Sequence, residues 1–201
     1  MNDALRWIQR RIEHFYELES APDVVEFVRT GSSDHRETLV LRQTADELEL
    51  ALVLPPIGDL PPLDELHGSA DDRWLQIVEG VSHFVYVAER ARTNLPATRL
   101  ELELQAEVDK YAAGLLAGNG VGAIRARSRS MRWHLFERAR FLDPAHTEAG
   151  QRYRKATEVA ARYAAWLEHR FVVSGDFDAL RTELRRFYRL GLREKLQAGD
   201  G

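Results

Sequence analysis

Apolar residues recur at helical spacing along most of the chain after residue 70, and this pattern limits the fold more than any other feature. Five segments show it, at residues 71–92, 96–117, 124–142, 144–171 and from 176 onward. Each segment places its apolar side chains three or four residues apart, which is the spacing of one helix face. We therefore predict a five-helix bundle over residues 70–201.

The first 69 residues predict a separate lobe that contains β structure. An amphipathic helix over about 3–19 precedes three β-type runs at 24–29, 37–42 and 47–54, and leucines alternate along the third run. Turn-forming residues separate the runs, so we predict a three-stranded antiparallel meander with the helix on one face. The proline-rich segment 55–69 is interpreted as a linker, with a single continuous domain as the alternative. The predicted class is α+β, mostly α.

The composition excludes several kinds of site. The chain of 201 residues has no cysteine, which removes thiolate nucleophiles, disulfides and cysteine metal centres. No apolar run approaches the roughly 20 residues that cross a bilayer, and the N-terminus lacks the pattern of a signal peptide. No phosphate-binding loop or nucleophile elbow is present. We expect a soluble, cytoplasmic protein without membrane association, without a cofactor and, on the first interpretation, without enzymatic activity.

Charge is divided unevenly along the chain. Residues 1–122 carry 22 acidic and 11 basic side chains, whereas residues 123–201 carry 10 acidic and 17 basic ones. A basic surface attracts acidic proteins and nucleic acids, and bases stack on aromatic rings in nucleic-acid sites. The candidate binding residues on the third and fifth bundle helices are Arg125, Arg127, Arg129, Trp133, Arg181, Arg185, Arg186, Arg189 and Arg193.

The same asymmetry has a second interpretation, in which two neighbouring helices neutralise each other. If helices 96–117 and 124–142 form an antiparallel hairpin around Gly120, residues equally distant from that turn lie opposite each other. The resulting pairs are Glu101 with Arg140, Glu103 with Arg138, Glu107 with His134, and Asp109 with Arg132. Exposed ion pairs of this kind stabilise a fold only slightly, but they select one helix register over others.

Arg129 and His134 are separated by four residues on the third predicted helix, and Ser130 follows the arginine directly. This spacing resembles the Arg-x4–6-His signature of the HEPN family of helical RNases. The resemblance implies that Arg129 holds an RNA phosphate and that His134 acts as a general acid or base, usually across a homodimer. The near-neutral pKa of an imidazole suits that role.

Two further pairs of residues suggest a metal site. Glu79 and His83 lie four residues apart on the first bundle helix, and Glu103 and Glu107 do so on the second. Two antiparallel helices could bring these oxygen and imidazole ligands together. The alternative is that Glu79 and His83 belong to a solvated or interface-lining edge of their helix.

Protein binding is the first functional interpretation of the whole chain. A meander with exposed edges and several amphipathic helices offer surfaces for association. The α-β-β-β opening is also loosely similar to small dimeric chaperone-like folds. We expect a non-catalytic adaptor or chaperone-like protein with an unidentified protein partner, which could also form a homodimer. The alternatives are an RNA-binding or RNA-cleaving protein that uses Arg129 and His134, and a helical metal site.

Overall fold

The computed structural model describes residues 1–30, 37–44, 48–54, 72–116 and 121–200. These residues divide into two compact units, one made of residues up to 54 together with 72–96, the other of residues 97–200. Most of the described residues are helical and a small sheet completes the structure, which confirms the class α+β, mostly α. The predicted linker at 55–69 and most of the predicted turn around Gly120 lie outside the described residues.

The first unit combines three helices with a three-stranded sheet. Its elements are α1 (Asn2–Tyr16), α2 (Val24–Phe27), β1 (Val28–Thr30), β2 (Thr38–Gln43), β3 (Leu48–Leu54) and α3 (Asp72–Arg92). α1 is helical where the sequence predicted, because Leu5, Ile8 and Ile12 recur on one face and are buried together. The helix ends at Glu17, which adopts the left-handed conformation with a φ of 54°.

The sheet is mixed, so the predicted antiparallel meander is wrong. β3 lies in the middle, with β1 parallel to it on one side and β2 antiparallel on the other. Most of the first predicted strand forms α2 instead, because the Asp23 side chain accepts a hydrogen bond from the Val25 N–H and caps a helical turn. Alternation along β3 was predicted correctly, since Leu52 and Leu54 are buried on one face.

The long helix α3 packs against α1, β2 and β3. It therefore belongs to the first unit, whereas the sequence-based boundary at residue 69 assigned it to the bundle. Its buried side chains include Ile77, Val81 and Phe84. Gly80 lets the helix approach the sheet closely, because a Cβ atom at this position would lie 3.1 Å from Leu52 Cδ1.

Helices are the only regular secondary structure in the described residues of the second unit. Its elements are α4 (Arg99–Leu116), α5 (Val121–Arg132), a π turn named π1 (Trp133–Glu137), α6 (Glu148–Leu167), a second π turn named π2 (Glu168–Val172), α7 (Phe177–Arg189) and α8 (Leu192–Gln197). α4 packs against both α5 and α6. Five α-helices thus form this unit, but they include the unpredicted α8 and exclude α3.

Two helix boundaries in this unit differ from the prediction. The helix predicted to reach residue 142 ends with π1 at Glu137, because Arg138 leaves the helical conformation with a φ of −103° and a ψ of 12°. α6 begins at Glu148 and not after Asp143, because Thr147 Oγ1 accepts a hydrogen bond of 3.0 Å from the Gly150 N–H. Among the described residues, no helix is both long and apolar enough to cross a membrane.

Candidate functional site

An exposed stripe of basic and aromatic side chains runs along α5. Arg125, Arg129 and Trp133 follow one another at intervals of four residues, and all three are exposed. Each interval advances about 6 Å along the helix axis. On the opposite side of the helix, Ser128 and Met131 are buried. α5 therefore turns its basic face outward and is anchored by the other face.

Trp133 is the aromatic member of this stripe, and 49% of it is exposed. The guanidinium carbon of Arg138 lies 4.9 Å from the centroid of its ring, within the range of a cation–π contact. The Arg138 N–H also donates a hydrogen bond of 3.0 Å to the Trp133 carbonyl oxygen. One end of the stripe thus presents the aromatic ring of Trp133 next to the positive charge of Arg138.

Arg125 connects the other end of the stripe to π2. Its Nη2 donates to the Val173 carbonyl oxygen at 2.6 Å, and its Nε donates to the Val172 carbonyl oxygen at 3.3 Å. These contacts satisfy carbonyl groups at a helix end that lack a partner within the helix. The Val173 side chain is 58% exposed, so the stripe is bordered by an apolar residue at this end.

A polar network lies beneath the stripe and links α4, α5 and π2. Ser128 Oγ donates to Glu168 Oε2, and Arg132 Nη1 donates to Glu168 Oε1 at 3.0 Å. The Tyr111 hydroxyl lies 2.7 Å from Ser128 Oγ. Because the only hydroxyl proton of Ser128 goes to Glu168, Tyr111 must be the donor to Ser128. We call Tyr111, Ser128, Arg132 and Glu168 the Glu168 network.

Burial keeps the tyrosine of this network protonated. Tyr111 is fully buried, and desolvation is the main cause that raises its pKa to about 12. The negative charge of Glu168 raises the pKa of Tyr111 further. Tyr111 therefore remains a hydrogen-bond donor throughout the physiological pH range.

The two residues of the HEPN-like spacing lie on different elements. Arg129 is an exposed residue of α5, whereas His134 is a half-buried residue of π1. Ser130, which follows the arginine, is also half-buried. A catalytic role for the pair stays a prediction.

The predicted ion pairs between α4 and α5 also stay predictions. The structure gives Arg132 an ion pair with Glu168, and it gives Glu103 one with Arg152 at 3.4 Å. Glu107 pairs with Lys110 at 2.9 Å, and Asp109 accepts a hydrogen bond from Gln105. Arg138 and Arg140 lie beyond the last residue of π1, so the helical register assumed for the pairs with Glu103 and Glu101 does not extend to them.

Several of the other predicted binding residues are half-buried or have contacts within their own helix. Arg127 is half-buried. On α7, Arg181 pairs with Asp178 at 3.2 Å and Arg186 pairs with Glu183 at 2.7 Å. Arg189 Nη1 donates to the Arg185 carbonyl oxygen, and Arg193 is an exposed residue of α8. Acidic residues of α7 thus offset part of the charge on this helix.

The predicted metal ligands come from both units. Glu79 and His83 lie one turn apart on α3 in the first unit, and Glu103 and Glu107 lie one turn apart on α4 in the second. A metal site formed by all four residues stays a prediction.

Sequence reasoning missed Tyr111, Ser128 and Glu168 as parts of a site, and it assigned Arg138 to an ion pair with Glu103 and not to a contact with Trp133. One signal for Ser128 exists, because this serine lies three residues before Met131 on the apolar stripe of α5. A polar residue at such a position needs a buried partner. No comparable signal marks Arg138, whose position over Trp133 depends on the π turn. No protein-family model matches the chain, and no curated protein and no solved structure matches it either.

Proposed function

We propose that this is a non-catalytic binding protein whose second unit holds an acidic protein segment on the stripe formed by Arg125, Arg129, Trp133 and Arg138. The observation that carries the proposal is the half-exposed Trp133 ring with the Arg138 guanidinium 4.9 Å from its centroid. Tryptophan and arginine are the residues most enriched among energetic hot spots of protein interfaces. Covering the exposed ring with a partner removes apolar surface from water, which favours binding.

The partner's chemistry follows from the residues along the stripe. From Val121 to Phe136, α5 and π1 contain four arginines and no acidic residue, so an acidic segment would be attracted to this face. Trp133 at one end and Val173 at the other offer apolar contacts. A partner segment that carries carboxylates between apolar residues fits this arrangement.

Fluorescence anisotropy with a labelled amphipathic peptide of glutamate, alanine and leucine tests the proposal. We expect the full chain to bind this peptide. The Trp133→Ala and Arg129→Glu variants should bind about 10-fold more weakly or worse, as for a hot-spot residue. The matched control is Arg193→Glu, which makes the same charge change at an exposed arginine of α8. Equal losses in Arg129→Glu and Arg193→Glu would show that only net charge matters and would contradict a specific surface.

Single-stranded RNA is the second candidate ligand, and the Trp133–Arg138 pair is the observation that favours it. Bases stack on aromatic rings while arginines neutralise phosphates, and such binding weakens steeply as salt is added. A labelled oligouridylate measured with the same variants distinguishes the two candidates. Tighter, salt-sensitive binding of the oligonucleotide that Trp133→Ala abolishes would favour RNA. Cleavage of the oligonucleotide that Arg129→Ala and His134→Ala both abolish would support the HEPN-like prediction.

A further inference from the structure

The π geometry of π1 determines which side chain lies next to Trp133. In an α-helix the neighbour one turn later is residue i+4, and for Trp133 that residue is Glu137. In a π turn the backbone hydrogen bond closes at i+5, and here the Arg138 N–H donates to the Trp133 carbonyl oxygen. The π turn therefore brings the Arg138 guanidinium, which a continuous α-helix would carry further around the helix, to the exposed ring.

The Glu168 network is attached directly to both π turns. Arg132 is the last residue of α5 and immediately precedes Trp133, while Glu168 is the first residue of π2. The second π turn closes in the same way as the first, with the Val173 N–H donating to the Glu168 carbonyl oxygen at 2.9 Å. The ion pair between Arg132 and Glu168 thus joins the starting points of two turns of a rare geometry.

The network can hold these turns because both of its hydroxyl groups and both oxygens of Glu168 have a partner within it, although the buried Arg132 Nε has no hydrogen-bond partner among the described residues. Tyr111 donates to Ser128, Ser128 donates to one oxygen of Glu168, and Arg132 donates to the other oxygen. Tyr111 and Ser128 are fully buried, so a displacement of α5 or π2 would leave buried polar groups without partners. Such a loss is costly in a low-dielectric interior.

We infer that Tyr111, Ser128, Arg132 and Glu168 are positioning residues for the binding surface, and that they hold π1 in the geometry that places Arg138 over Trp133. Through this geometry they place a positive charge at the aromatic end of the stripe. The role in ligand binding rests on the proposed function, whereas the effect on the Trp133–Arg138 contact does not.

The test reads the environment of Trp133 directly, without a ligand. The full chain is labelled with 5-fluorotryptophan, and the Trp133 resonance in the ¹⁹F spectrum is assigned by its loss in Trp133→Phe. We expect Ser128→Ala and Glu168→Ala to shift or broaden this resonance. The resonances of Trp7 and Trp74, which belong to the first unit, should remain unchanged and serve as internal controls.

Two milder variants keep the inference testable if an alanine variant does not fold. Tyr111→Phe removes only the hydroxyl group, and Glu168→Gln keeps an acceptor for Ser128 while it removes the charge. Both should move the Trp133 resonance less than Glu168→Ala does. An unchanged Trp133 resonance in folded Tyr111→Phe and Glu168→Gln would overturn the inference.

Binding of the acidic peptide separates the inference from the proposed function. We expect Ser128→Ala and Glu168→Gln to bind the peptide about five-fold more weakly than the wild type, although neither residue is on the exposed stripe. If the resonance moves but the wild type does not bind the peptide, the positioning role is supported and the proposed function fails. If the wild type binds and these variants bind equally well with an unchanged resonance, the positioning role is refuted and the proposed function stands.

Discussion

Lys195 of α8 allows a quantitative test of how the second unit is held together. The side chain is fully buried, and its Nζ donates a hydrogen bond of 2.7 Å to Gln105 Oε1 on α4. Gln105 in turn donates to Asp109 at 2.8 Å. The ammonium group also lies 5.1 Å from the ring centroid of Phe187 and 5.9 Å from that of Tyr188. We predict that this one residue fixes the short α8 against α4 and α7.

The expected cost of Lys195→Ala follows from these contacts. The change removes three buried methylene groups, worth about 2 kcal/mol in total, and a hydrogen bond to a charged group, worth about 1.5–3 kcal/mol. Relief of the desolvation of a buried ammonium offsets part of this loss, so we expect a net destabilisation of about 3 kcal/mol. Lys195→Met keeps the length of the side chain and should cost only about 1–2 kcal/mol, because the packing is retained.

Urea denaturation followed by far-UV circular dichroism measures both variants. With a denaturant dependence of about 2–3 kcal/mol per molar for a chain of this size, Lys195→Ala should lower the midpoint by about 1 M. A midpoint within about 0.2 M of the wild type would refute the anchoring role of Lys195. Equal losses for the alanine and methionine variants would show that packing of the aliphatic chain contributes nothing.

Two further predictions concern a close backbone contact and an ion pair at the surface. Gly150→Ala should destabilise the protein by about 1–3 kcal/mol, because a Cβ atom would overlap the Pro144 carbonyl oxygen. The control is Gly122→Ala, because a Cβ atom at Gly122 meets nothing within 4 Å. This control should leave the thermal midpoint unchanged or raise it. The hydrogen bond from Arg6 lowers the pKa of Asp23 in the folded protein. The pair therefore stabilises the fold fully above the pKa of about 3.9 that Asp23 has in the unfolded chain, and this stabilisation is lost as the pH falls through the lower pKa of the folded state. Asp23→Asn should therefore lower the thermal midpoint at pH 7 and reduce the drop in midpoint on acidification, and an unaltered acid response would contradict the assignment.

Local patterns in the sequence predicted the elements better than their pairing. The apolar repeats along α1, α3 and α4 are set within one helix, and each of these helices forms close to where its repeat predicts. The direction of β1 depends on a partner more than 20 residues away in sequence, and alternation along a strand carries no information about that partner. The assignment of α3 to the first unit is likewise decided by packing against distant elements.

The candidate site was predicted only in part, and the reason is the π geometry. Arg129 and Trp133 could be identified as a basic and aromatic pair because their spacing of four residues places them on one helix face. A continuous α-helix to residue 142 would have placed Glu137 beside Trp133 and cancelled part of the positive charge. The widening of the helix at Trp133 depends on groups from α4 and π2, so no pattern within α5 itself predicts that Arg138 takes that place.

The charge boundary near Gly118–Gly122 does not coincide with the boundary between the two units, and this difference changes what the asymmetry means. α4 carries four acidic residues, yet it belongs to the same unit as the arginines that follow it, so residues 97–200 contain 14 acidic and 19 basic side chains. Three of the acidic residues of α4, Glu101, Glu103 and Asp109, are buried, and the pair between Glu103 and Arg152 shows one way in which they offset basic charge inside the unit. Positive charge at the surface is then determined by the charged residues that face outward, and the exposed charged residues of α5 and π1 before Glu137 are Arg125 and Arg129. Because the π turn brings Arg138 to the ring of Trp133, the position of positive charge on this surface depends on one turn of backbone geometry as well as on the net charge of the unit.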